Sequence, residues 1–64
     1  MQVEKIAYSP TETALVLGVS RPTVYMLMKR VDFPAFKVGS RTLVSAEGLR
    51  EWVRKQAEGS DVDG

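Results

Sequence analysis

Apolar residues recur along this chain first at helical spacing, then in alternation, then at helical spacing again. Residues 1–8 read as a short extended lead-in that offers Val3, Ile6 and Tyr8 for packing. Ser9-Pro10-Thr11-Glu12 then starts a helix: Ser9 caps it, Pro10 fits its first position and Glu12 completes a capping box. Gly18 tolerates the left-handed backbone that closes many helices, so the first helix is expected over Pro10–Leu17. Ala14 and Leu17 share a face of it, with Pro10 and Thr13 beside them. Leu15 and Val16 point elsewhere and need another cover, such as a later helix or a second molecule.

Val19 falls in a tight connection, and Ser20 offers a second cap. A helix from Arg21 to about Arg30 is expected next, with Pro22 tolerated because first-turn N–H groups lack intrahelical partners. Val24, Leu27, Met28 and Val31 gather on one arc. Pro22, Met26 and Lys29 lie opposite, flanked by Thr23, Tyr25 and Arg30. Asp32-Phe33-Pro34 ends the helix, since the residue before a proline resists helical geometry.

Phe36-Lys37-Val38 and Thr42-Leu43-Val44 are β-prone runs separated by Gly39-Ser40-Arg41, which predicts a small hairpin. Phe36, Val38, Leu43 and Pro34 are expected to face inward, with Lys37 and Arg41 in water. Ser45 caps a third helix from Ala46 to about Ala57, where Leu49, Trp52, Val53 and Gln56 form the inner stripe. Glu47, Arg50, Glu51, Arg54 and Lys55 line its outer face, with Glu51 placed to pair with Lys55 one turn on. Residues 1–57 thus make one domain, and the small acidic residues 58–64 are expected to be a disordered tail.

At 64 residues there is room for one small core, and such chains often rely on disulfides or metals. This one has neither Cys nor His. Disulfide staples, zinc fingers, thiol nucleophiles and histidine bases are excluded together. Glu47 and Glu51 share a helical face, but without a third ligand they suggest neither a metal site nor an acid–base pair. The expectation is a protein that is not an enzyme and carries no cofactor. No apolar run spans a bilayer, and the opening residues lack the pattern of a signal peptide, so a cytoplasmic location is expected.

Charge adds to the picture once it is divided by segment. The net charge of +1 conceals a basic middle. Residues 19–45 carry Arg21, Lys29, Arg30, Lys37 and Arg41 against Asp32 alone, while both flanking segments are net negative. That distribution fits a polyanion-binding surface as well as an ordinary solvated face.

Two short helices joined at a glycine, with small Ala14 in one and Val24 in the other, make the arrangement a helix-turn-helix requires. The second helix can then present its outer face to the major groove of DNA. Three stretches sharpen this: Leu17-Gly18-Val19-Ser20-Arg21-Pro22-Thr23-Val24-Tyr25, Phe33-Pro34-Ala35-Phe36-Lys37-Val38-Gly39-Ser40-Arg41, and Leu49-Arg50-Glu51-Trp52. In order and spacing they resemble the excisionase family, whose members are related to the DNA-binding domains of MerR-type regulators.

The resemblance implies a mainly α winged helix-turn-helix, with three helices plus a β-hairpin wing, that acts as a recombination directionality factor. Such a protein binds and bends double-stranded DNA at a phage or mobile-element attachment site and directs excision by a tyrosine integrase. It works in a bacterial host, associated with the nucleoid when bound. Integrase and further copies of itself, binding cooperatively, are the implied partners. A small transcriptional regulator using the same surface is the alternative, and a protein-interaction module without DNA binding is a third class.

The expected DNA-binding residues are Ser20, Arg21, Thr23, Tyr25, Met26, Lys29 and Arg30 on the second helix, and Lys37, Ser40 and Arg41 on the wing. Arg21 suits guanine or phosphate, Thr23 and Tyr25 can donate to phosphates, and Met26 can touch a thymine methyl. Lys29 and Arg30 neutralise backbone charge, and Arg41 is placed to enter the adjacent minor groove. Tyr25 has ring packing as a competing role, and Arg30 has Asp32 as a competing partner.

Overall fold

The computed structural model describes residues 5–59. The chain order is β1 (Ala7–Tyr8), α1 (Pro10–Leu17), α2 (Arg21–Leu27), β2 (Ala35–Val38), β3 (Arg41–Ser45) and α3 (Ala46–Gly59). Helix α1 begins as the capping box dictates. Glu12 N–H donates to Ser9 Oγ at 3.2 Å, and Ser9 N–H donates to Glu12 Oε1 at 2.9 Å. Thr13 is fully buried, and its hydroxyl donates to the Ser9 carbonyl at 2.8 Å, so burial leaves no polar group unpaired there. Gly18 closes α1 at φ +74°, and the N–H groups of Gly18 and Val19 both reach the Ala14 carbonyl.

The sheet has the order β1-β3-β2 and is antiparallel throughout. The lead-in is therefore more than a tether, because Ala7 and Tyr8 pair with Ser45 and Val44. Of the lead-in residues expected to pack, Tyr8 joins the core periphery and Ile6 is exposed, while Val3 lies outside the described residues. The hairpin turn is tighter than expected. Arg41 is the first residue of β3 and pairs with Val38, leaving Gly39 and Ser40 as a two-residue loop. Gly39 takes φ +62°, which suits glycine at the first position of such a turn.

The hairpin buries the opposite face from the one expected. Ala35 pairs with Val44 and Phe36 with Leu43, so Phe36, Val38, Leu43 and Arg41 share one face while Ala35, Lys37, Thr42 and Val44 share the other. Val44 is fully buried, whereas Phe36 is 42% exposed and Val38 is exposed as well. The helices cover only the Val44 face, where Val44, Phe33 and Leu49 form the core with Tyr8, Leu17, Leu27, Met28, Ala35 and Trp52 around them.

Helix α2 ends earlier than expected, at Leu27. Met28 caps it, and the N–H groups of Lys29 and Arg30 bond three residues back, to Met26 and Leu27. This tight turn lets Phe33 fold back into the core, where it is only 4% exposed. Burying a phenyl ring outweighs the one further helical turn that is forgone. Val31, placed on the inner arc if the helix continued, is fully exposed as a result.

Helix α3 starts at the Ser45 hydroxyl, which accepts from Gly48 N–H at 3.0 Å. It extends through Gly59, so Glu58 and Gly59 are helical rather than part of a tail, and residues 60–64 lie outside the described residues. Of its expected inner stripe, Leu49 is buried and Trp52 partly so, while Val53 and Gln56 are exposed. Glu51 pairs with Arg54, not Lys55. Among the described residues nothing covers Leu15 and Val16, Leu15 being 78% exposed. Among the described residues no helix is long and apolar enough to cross a membrane. Three helices and a small antiparallel wing make this a winged helix-turn-helix.

Candidate nucleic-acid interface

Helix α2 packs against α1, with Val24 fully buried and Ala14 of α1 buried as well. With that side inward, Arg21, Thr23, Tyr25, Met26 and then Lys29 are left in water. Met26 is 70% exposed, so nothing among the described residues covers the outer side of the helix. Ser20 caps the helix: its Oγ accepts from Thr23 N–H at 3.4 Å and lies 2.9 Å from the Thr23 hydroxyl. Ser20 is thus committed to helix geometry, with Thr23 as its neighbour.

The turn after α2 separates Lys29 from Arg30. The Arg30 guanidinium meets the Asp32 carboxylate with both ends, Nε to Oδ1 at 2.9 Å and an Nη to Oδ2 at 3.1 Å. Trp52 Nε1–H donates to the same Oδ2 at 3.2 Å. Hydrogen bonding from Arg30 holds the Asp32 carboxyl below the usual carboxylate range, with Trp52 adding to it, and Asp32 in turn pushes the Arg30 value up. Arg30 thus takes Asp32, the competing partner expected for it.

Lys29 instead lines a cleft between α2 and the wing. Tyr25 on α2, with Met28 and Lys29 just past its end, forms one wall, and Ala35, Phe36, Lys37 and Thr42 form the wing wall. Lys37 and Thr42 are cross-strand partners and share the hairpin face turned to α2. Three of the expected residues, Tyr25, Lys29 and Lys37, are thus brought together. Arg21 stands at the start of α2, and Ser40 and Arg41 at the tip of the wing, all exposed. Alternation puts Arg41 on the hairpin face opposite Lys37, so the two cations address different surroundings.

Thr42 was not foreseen as a site residue, and Phe36 was expected inside. The signal for Thr42 was Gly39-Ser40: a two-residue turn beginning with glycine sets Val38 against Arg41, and hence Lys37 against Thr42, whereas the outward turn of Phe36 had no local signal.

A family model described as a helix-turn-helix domain matches residues 7–57, most of the chain. The chain belongs to the helix-turn-helix domain family. No curated protein and no solved structure gives a significant match. Membership identifies the protein as DNA-binding, and in this helix-turn-helix domain α1 and α2 are the paired helices while β2 and β3 form the wing. The matched span also takes in β1, in keeping with its place in the sheet.

Proposed function

We propose that this helix-turn-helix domain is an excisionase. In this reading it binds and bends double-stranded DNA at the attachment site of a phage or mobile element and directs excision by a tyrosine integrase. The observation carrying duplex binding is the outer side of α2, which no described residue covers, flanked by the exposed cations Arg21, Lys29, Lys37 and Arg41. The excisionase assignment rests on the three motif stretches that run from Leu17 through Trp52.

Helix α2 enters a major groove, where Arg21 reads guanine or grips phosphate and Met26 meets a thymine methyl. Thr23, Tyr25 and Lys29 hold the backbone, with Ser20 fixing the start of the helix. Lys37, Ser40 and Arg41 carry the wing to the neighbouring minor groove. The protein works by binding alone, without catalysis or cofactor, alongside integrase and other copies of itself.

Footprinting and circular-permutation gel shifts on attachment-site DNA test this. Several short tandem sites, a bend, and excision that depends on both this protein and integrase are expected. A single isolated palindrome at a promoter, with no bend and no effect on excision, would make the protein a transcriptional regulator instead.

A further inference from the structure

The cleft between α2 and the wing combines features that neither element has alone. Lys29 stands on one wall and Lys37 on the other, around a space of about 380 Å³, with no carboxylate among the lining residues. Asp32, the acid nearest in sequence to Lys29, is held by Arg30 and Trp52. Two ammonium groups across an open cleft repel each other, and an anion placed between them relieves that repulsion. Tyr25 and Thr42, which both carry hydroxyls, also line the space, as does the apolar Met28.

Duplex geometry supplies the anion. When a helix occupies a major groove and a wing the adjacent minor groove, the sugar–phosphate strand dividing those grooves must pass between them. We propose that this cleft is the seat of a single DNA phosphodiester, shared by Lys29 and Lys37. The Tyr25 and Thr42 hydroxyls donate to its free oxygens, and Met28 packs on the flanking deoxyribose. This rests on the duplex-binding reading above and adds a division of labour. The seat fixes how the domain sits on the strand whatever the sequence, and base discrimination falls to Arg21 and Met26.

Salt dependence tests the sharing directly, since each neutralised phosphate contributes about 0.9 to the slope of log affinity against log salt. Binding of the full chain to a random-sequence duplex is followed by fluorescence anisotropy between low and moderate salt. The proteins compared are the parent, Lys29→Gln, Lys37→Gln, the double variant, and Arg50→Gln on α3 as a control.

If one phosphate is shared, the double variant loses about 0.9 of slope, while separate phosphates would cost about 1.8. Thr42→Val and Tyr25→Phe weaken binding to all sequences alike without altering the slope. The Arg50→Gln slope matches the parent. A double-variant loss near twice the single-phosphate value, or no loss at all, overturns the shared seat while duplex binding stands. A parent chain without salt-dependent duplex binding overturns both.

Discussion

The indole of Trp52 meets the ring of Phe33 edge to face, with centroids 5.0 Å apart and planes at 83°. Its Nε1–H meanwhile donates to Asp32, the residue before Phe33. One side chain of α3 thus holds two consecutive residues of the turn that follows α2, gripping one by its ring and the other by its carboxylate. The turn that ends α2 is anchored to the far helix through this contact.

Trp52→Ala should therefore destabilise the domain by about 3 kcal/mol, the lower end of the range for large aromatic truncations, because the ring is only partly buried. Urea unfolding followed by far-ultraviolet circular dichroism measures this. Trp52→Phe keeps edge-to-face packing but lacks the N–H donor, so it should fall between Trp52→Ala and the parent.

The face of the hairpin that is buried can be tested by a contrast. Val44→Ala, on the inner face of β3, deletes fully buried methyls and should cost about 2–3 kcal/mol. Val38→Thr, on the outer face, should stay within about 0.5 kcal/mol of the parent. Equal losses in the two variants would mean that the hairpin packs the other way round.

Gly48 lies in α3 where the helix passes Pro34. A Cβ there would sit 2.7 Å from Pro34 Cβ and 3.1 Å from Ser45 Oγ. Gly48→Ala gains about 1 kcal/mol of helix propensity, but overpacking against a rigid ring costs about 1–3 kcal/mol. A net lowering of the urea midpoint is expected, contrary to propensity alone.

Arg30 and Arg21 should part company on DNA. Arg21→Ala should weaken binding by about 1–3 kcal/mol if it reads a base with both ends of its fork. Arg30→Ala should leave the salt slope of duplex binding unchanged, because its guanidinium is taken by Asp32. A loss of slope on removing Arg30 would show that the ion pair opens on DNA.

Acid should loosen the fold in a defined direction. Hydrogen bonding from Lys5 lowers the Glu12 value, helped by the Ser9 backbone, and Arg30 does the same for Asp32. With these groups depressed in the folded state, the unfolded chain binds more protons as pH falls. Their stabilisation is therefore complete above the ordinary carboxylate range and fades below about pH 4. Thermal midpoints should be flat near neutrality and drop in that acid window, less steeply for Glu12→Gln.

Local signals in the chain were enough to place α1, because Ser9, Pro10, Glu12 and Gly18 act through bonds and backbone angles within a few residues. They also marked α2's start at Ser20, the glycine turn of the wing, α3's start at Ser45, and most of the exposed cations. Those features need no distant partner. Which side of the hairpin turns inward does need one. Phe36, Val38 and Leu43 outweigh Ala35 and Val44 in apolar surface, yet the helices lie over Val44, where Phe33 and Leu49 meet it.

The early end of α2 was decided in the same way, by the burial of Phe33, and so was the division of Lys29 from Arg30. Capping and turn chemistry are local energies that can be read in order along the chain. Burial is a competition among all the chain's faces for one small interior, and only the assembled tertiary structure settles it.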